Sequence, residues 1–176
     1  MKIVNTNFFG LKKIKGTNYY DKRGFFRELF KEKLLKGYNF KFWCLSKSKR
    51  HVIRGLHIQK KIQQDLMVSV IKGEIFDVAL DLRKKSPTHG KYHSIKLSEK
   101  NCTSLIIPKG FAHGFCSLGK ENIILYGISN YRSKVNETGI LWNDNSLKIK
   151  WPTKKPIISK KDKKNISFKK FLSKDI

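Results

Sequence analysis

Two histidines carry most of the chemistry that this sequence could perform. His57 stands in "RGLHIQ" beside Arg54 and Gly55, and His113 stands in "PKGFAHGF" after Pro108 and Gly110. An imidazole changes charge near neutral pH, so each could act as a general base, a metal ligand or a buried polar group satisfied by one hydrogen bond. A metal site built from an H-x-H pair on one strand face is broken here, because its second position is Gln59. Two imidazoles with no thiolate or carboxylate at a suitable spacing make a weak metal site. The expectation is therefore no metal, with both histidines available for proton transfer or hydrogen bonding. Cys44, Cys102 and Cys116 form no C-x-x-C and read as free thiols suited to a reducing, cytoplasmic setting.

The elements that would hold these residues are mostly strands. "HVIRGLHIQ", "LMVSVIKGEIFDVALDLR", "KYHSIKLS", "TSLIIPKGFAHGFCSL" and "NIILYGIS" alternate apolar and polar residues and are separated by Gly, Pro, Ser or Asn. That pattern predicts an antiparallel all-β sandwich or barrel. In such a strand Ile53, Gly55, His57 and Gln59 share one face and Arg54, Leu56 and Ile58 the other. Arg54 and His57 can then share a site only across a bulge, for which Gly55 is the natural place. Helices are predicted for "RELFKEKLLKGY", with Leu29, Phe30, Leu34 and Leu35 apolar and Gly37 as a stop, and briefly around Phe168 to Leu172.

Composition narrows the class. The chain has 176 residues, suited to one domain over 1–176, and at 39% hydrophobic it is too apolar for a disordered chain. No apolar run approaches the roughly 18 residues of a membrane span, and "MKIVNTNFFG" does not read as a signal peptide. The net charge of +26 is mostly scattered lysine, concentrated only in "KKPIISKKDKKNISFKKFLSKD". No recognition helix, zinc finger or aromatic RNA-binding motif accompanies it, so the reading is a solvated basic surface or attraction of an anionic small substrate, not nucleic acid.

Five blocks in order, "DKRGFFREL", "RGLHIQ", "GEIFDVALDLRKKSPTHGKY", "IPKGFAHGF" and "LWNDNSLKIKWP", resemble the dTDP-4-dehydrorhamnose 3,5-epimerase family of RmlC-like cupins, from about Leu11 to Lys170. The resemblance implies a cupin-type jelly-roll barrel with a few short helices, a homodimer, and cofactor-free epimerisation of a nucleotide-linked 4-keto-6-deoxy sugar, serving synthesis of a surface sugar. It further implies His57 as catalytic base, Asp162 as its carboxylate partner and Tyr126 as the acid that returns a proton. Arg23, Glu28, Arg54, His113, Glu137 and Lys161 match positions that contact substrate. A base of near-neutral pKa suits the chemistry, since removing a hydrogen beside a ketone places charge on the keto oxygen.

Three departures from the family are visible. Phe42, Trp43 and Cys44 occupy a Q-x-N element that helps hold the nucleotide. Arg132, beside Tyr131, takes the place of a tyrosine that stacks on thymine, and an arginine plane can itself stack on a base. Both changes predict a base other than thymine. Leu66 replaces a lysine that stabilises the enolate oxygen, leaving Lys60, Lys61, Arg54 or His113 to compensate. The rival readings are a 3,4-ketoisomerase on the same barrel and a cupin that binds a sugar nucleotide without turning it over.

Overall fold

A computed structural model of the chain describes residues 1–173. In chain order the early strands are β1 (Lys2–Asn5), β2 (Lys12–Lys15), β3 (Tyr19–Asp21), β4 (Gly24–Phe26), β5 (Phe42–Lys49), β6 (Val52–Gln59) and β7 (Leu66–Lys72). There follow β8 (Glu74–Asp81), β9 (Tyr92–Ser98), β10 (Thr103–Ile107), β11 (Phe111–Ser117), β12 (Glu121–Ile128), β13 (Glu137–Gly139) and β14 (Ile157–Ile158). They form two sheets, ordered β1-β2-β10-β7-β12-β5 and β13-β6-β11-β8-β9, with β14 lying parallel to β6. This is the expected cupin-type jelly roll, and a small β3–β4 hairpin stands apart from both sheets.

Alternation along each strand divides the molecule into layers. Between the sheets lie Val68, Val70, Ile75, Ala79, Leu105, Phe111, Phe115 and Ile124. On the outer face of the second sheet, Leu56, Ile58, Val78, Leu80 and Ala112 are covered by Ile140, Leu147 and Phe171 from the C-terminal part of the chain. His57 and Gln59 therefore point between the sheets, since their neighbours Leu56 and Ile58 point out. By the same parity His113 points inward with Phe111 and Phe115.

The helix expected in "RELFKEKLLKGY" is not there. Only Glu32–Leu34 make one 3₁₀ turn, and Gly37 reverses the chain at φ +90°. The apolar residues do not bury one stripe. Leu35 inserts against Ile14, Met67 and Ile106, whereas Phe30 turns to meet the edges of Phe40 and Trp43. Upstream, Arg27 donates to the carbonyls of Glu99 and Val70 and holds the segment extended. Tertiary contacts thus outweigh helix propensity, which is weak for so short a stretch. The second expected helix forms as α1, Phe168–Ser173.

Candidate functional site

β6 and β11 form the wall on which the site is built. Their register pairs His113 with His57 and then Phe115 with Arg54, so β6 carries one more residue than β11 over that interval. The bulge lies where expected, at Gly55, whose φ of +124° suits glycine alone. A Cβ on Gly55 would stand 2.5 Å from Gly114 Cα and 2.8 Å from the His113 carbonyl, so the pair Gly55 and Gly114 lets the two backbones touch. The extra residue turns Arg54 back to the face of His57. There Arg54 donates to Ser48 Oγ and to the Lys47 carbonyl.

A cavity of about 620 Å³ opens in front of this wall. His57, Arg54, His113 and Glu137 line it from the second sheet, Tyr126 from β12 of the first, and Arg132, Lys161 and Asp162 from the loops and the short 3₁₀ turn Asp162–Lys164. The structure thus brings together all of the residues implied by the resemblance except Arg23 and Glu28. Those two lie outside the cavity. Arg23 is paired with Asp21 at 2.6 Å and Glu28 with Lys31 at 2.8 Å, not with each other. Lys60 and Lys61 do not line the cavity either, whereas Leu66 does line a recess between His57 and His113.

The imidazoles are each held by a buried carboxylate. His57 Nε2 lies 2.6 Å from Asp162 Oδ1, leaving Nδ1 as the nitrogen for a ligand. Burial acts to raise the pKa of Asp162, but the hydrogen bond and charge of His57 outweigh it, and the carboxyl sits below its usual range. His113 Nε2 lies 2.8 Å from Asp77 Oδ2, and Asp77 is wholly buried. Sequence reasoning missed Asp77. Its signal was present, since in "EIFDVAL" it takes an inward parity position otherwise filled by Ile75 and Ala79.

Tyr126 faces this wall from the opposite sheet. Its hydroxyl lies 3.0 Å from Ser46 Oγ, and burial holds its pKa well above the usual tyrosine value, so the phenol keeps its proton. At the other end Glu137 is gripped by Arg132 (2.6 and 3.1 Å) and by Lys161. Burial would raise the Glu137 pKa, but these two cations bring it to about 2. Phe42, opposite Ile128 in register, stacks on Tyr131 at 5.7 Å, while Trp43 points to the outer face against Phe30 and Phe40. Among the described residues no group of three or more His, Cys, Asp or Glu side chains is placed to hold a metal ion. A carboxylate-held base facing a protonated phenol across a cationic cavity can take a proton from one side of an anionic ligand and return one from the other.

Comparison with known proteins places this geometry. The family model described as dTDP-4-dehydrorhamnose 3,5-epimerase matches residues 5–170. The dTDP-4-dehydrorhamnose 3,5-epimerase of Shigella flexneri is 41% identical over 99% of this chain and 98% of its own. The crystal structure of the Bacillus anthracis enzyme of that name, with TDP and PPi bound, superposes with a TM-score of 0.90 at 40% identity, over 94% of this chain and 98% of its own. A Legionella pneumophila dTDP-6-deoxy-D-glucose-3,5-epimerase in complex with dTDP-4-keto-L-rhamnose gives 0.89 at 39% identity, over 94% and 92%.

Proposed function

The chain belongs to the dTDP-4-dehydrorhamnose 3,5-epimerase family, and from that premise we propose that it epimerises carbons 3 and 5 of a dTDP-linked 4-keto-6-deoxy hexose without a cofactor. The observation that carries the reading is the placement of the His57–Asp162 pair and Tyr126 on opposite sheets facing one cavity. His57 Nδ1 removes the proton beside the ketone, and Asp162 fixes the ring and stabilises the imidazolium. Tyr126 protonates the enolate from the other face, which inverts the carbon. With Leu66 at the recess, Arg54 and the Asp77-held His113 stabilise the enolate oxygen. Arg132 and Lys161 face the diphosphate end, where paired donors suit phosphate. The stacked pair Phe42 and Tyr131 offers an aromatic surface beside Ile128 of the cavity. Together with the ligands named for the relatives, it supports thymidine over the different base that the departures alone suggest.

The same reading makes the protein a homodimer. Arg23 and Glu28 can contact substrate only if the exposed β3–β4 hairpin, with Tyr20 71% and Phe26 67% exposed, reaches a second copy. The test of function is NMR in deuterated water with dTDP-4-keto-6-deoxyglucose. Deuterium is expected at both carbons flanking the ketone. Movement of the carbonyl would mean a ketoisomerase, and absence of exchange would mean a binding protein.

A further inference from the structure

Next to the cavity, and sharing His57 and His113 with it, lies a recess of about 60 Å³ that is also walled by Leu66, Ile107, Phe111 and Gln59. Its volume exceeds what one water needs, so it can admit a substituent of a sugar ring. Gln59 follows His57 by two residues on the same strand face and stands directly opposite Glu137 in register. Its side chain is therefore turned to the same side as these two cavity residues. Gln59 is only 6% exposed, and among the described residues its Oε1 is buried and accepts no hydrogen bond. Buried polar atoms in folded proteins are nearly always paired, and an amide oxygen left unpaired weakens the empty fold.

We propose that Gln59 is a substrate-positioning residue whose Oε1 accepts a hydrogen bond from a ring hydroxyl of the hexose. This rests on the function proposed above and adds the part of the substrate that Gln59 reads. The atom is an acceptor, so its partner must donate. A ketone oxygen or a methyl group cannot, which leaves the hydroxyls. A bond to one of them, made two residues from the base, sets the rotation of the ring and hence which carbon–hydrogen bond meets His57. The neutrality of the amide matters as well, because a carboxylate at this point would oppose the negative charge that grows on the enolate.

A purely structural amide and a substrate acceptor differ in what its removal does. Gln59→Met fills the space without the orphaned oxygen, so the unliganded protein should become more stable, with Tm rising by about 2–4 °C. The affinity gained from the sugar should fall at the same time. The measurement is a pair of calorimetric titrations on wild type and variant, with dTDP and with dTDP-glucose, which lacks the ketone and cannot react. The expected result is unchanged dTDP binding, with the sugar's added affinity reduced about tenfold in Gln59→Met. Equal sugar increments in the two proteins would overturn the proposal, as would a loss of dTDP binding as large as the loss for dTDP-glucose. Because neither ligand reacts, this outcome is independent of the exchange experiment that decides the activity.

Discussion

Asp162 meets His57 in one short contact, so the effect of its charge on the base can be tested by a substitution that leaves its shape unchanged. Asp162→Asn keeps the shape but gives His57 a neutral partner, which can hold the wrong imidazole tautomer and cannot stabilise the imidazolium. Solvent deuterium exchange should fall by about 10²–10⁴-fold, the usual worth of acid–base assistance, whereas His57→Ala should abolish it. Full exchange by the His57 variant would assign the base elsewhere. Tyr126 gives a pH test. Burial raises its folded-state pKa above the unfolded value near 10, so its contribution to stability is complete below pH about 10 and is lost as pH rises beyond it. Thermal unfolding should show wild type losing stability above that pH more steeply than Tyr126→Phe. Equal slopes would mean that the phenol ionises freely. Asp162 and Glu137 run the other way. Both are held low, so their contributions persist through neutral pH and disappear only as pH falls through their depressed values, about 2 for Glu137. These residues differ in how far they could be read in advance. His57 stood out by type and place, while Tyr126 in an apolar run and Asp162 among lysines gained meaning only from the order of the blocks around them. Asp77 needed the parity of β8 to be followed residue by residue.

Strands and turns place those side chains, and the crossing of β6 and β11 has the least tolerance. A Cβ on Gly114 would lie 2.8 Å from the Arg54 carbonyl and 3.2 Å from Gly55 Cα, both backbone atoms that cannot swing aside. Gly114→Ala should cost about 1–3 kcal/mol of stability, as overpacking does, and should move Arg54 off the face of His57. Calorimetric unfolding and kcat/KM would both fall, and retention of both would show the crossing to be looser than it stands here. The bulge was legible because Arg54 and His57 could meet in no other way and Gly55 was the one residue between them able to take the turn. The helix at "RELFKEKLLKGY" was misread for the complementary reason. Its spacing fitted a helical stripe, but nothing in the segment itself disclosed that Phe30 would be drawn to Phe40 and Trp43, or that Arg27 would be tied to Glu99 and Val70.

Over the whole molecule, the charge of +26 acquires a direction once the cavity is located. Lys154, Lys155, Lys160, Lys163 and Lys164 are exposed on the segment that forms one wall, and the carboxylate among them, Asp162, is buried against His57. A doubly charged nucleotide sugar should be drawn to this rim, so kcat/KM should fall by about tenfold as salt is raised while kcat stays nearly constant. A salt-independent kcat/KM in steady-state kinetics would leave the lysines as a solvated surface with no part in capture. The fold class was legible from strand periodicity, but the position of the basic tail was not, because its anchoring depends on the two-residue parallel pairing of Ile157 and Ile158 with Val52 and Ile53. That pairing has a consequence in time. A ribosome completes β6, and with it the base, long before it delivers Asp162 and the strand that carries the chain back to His57. A growing chain therefore holds an imidazole without its counter-ion until the segment that carries Ile157, Ile158 and Asp162 has been made and laid against β6.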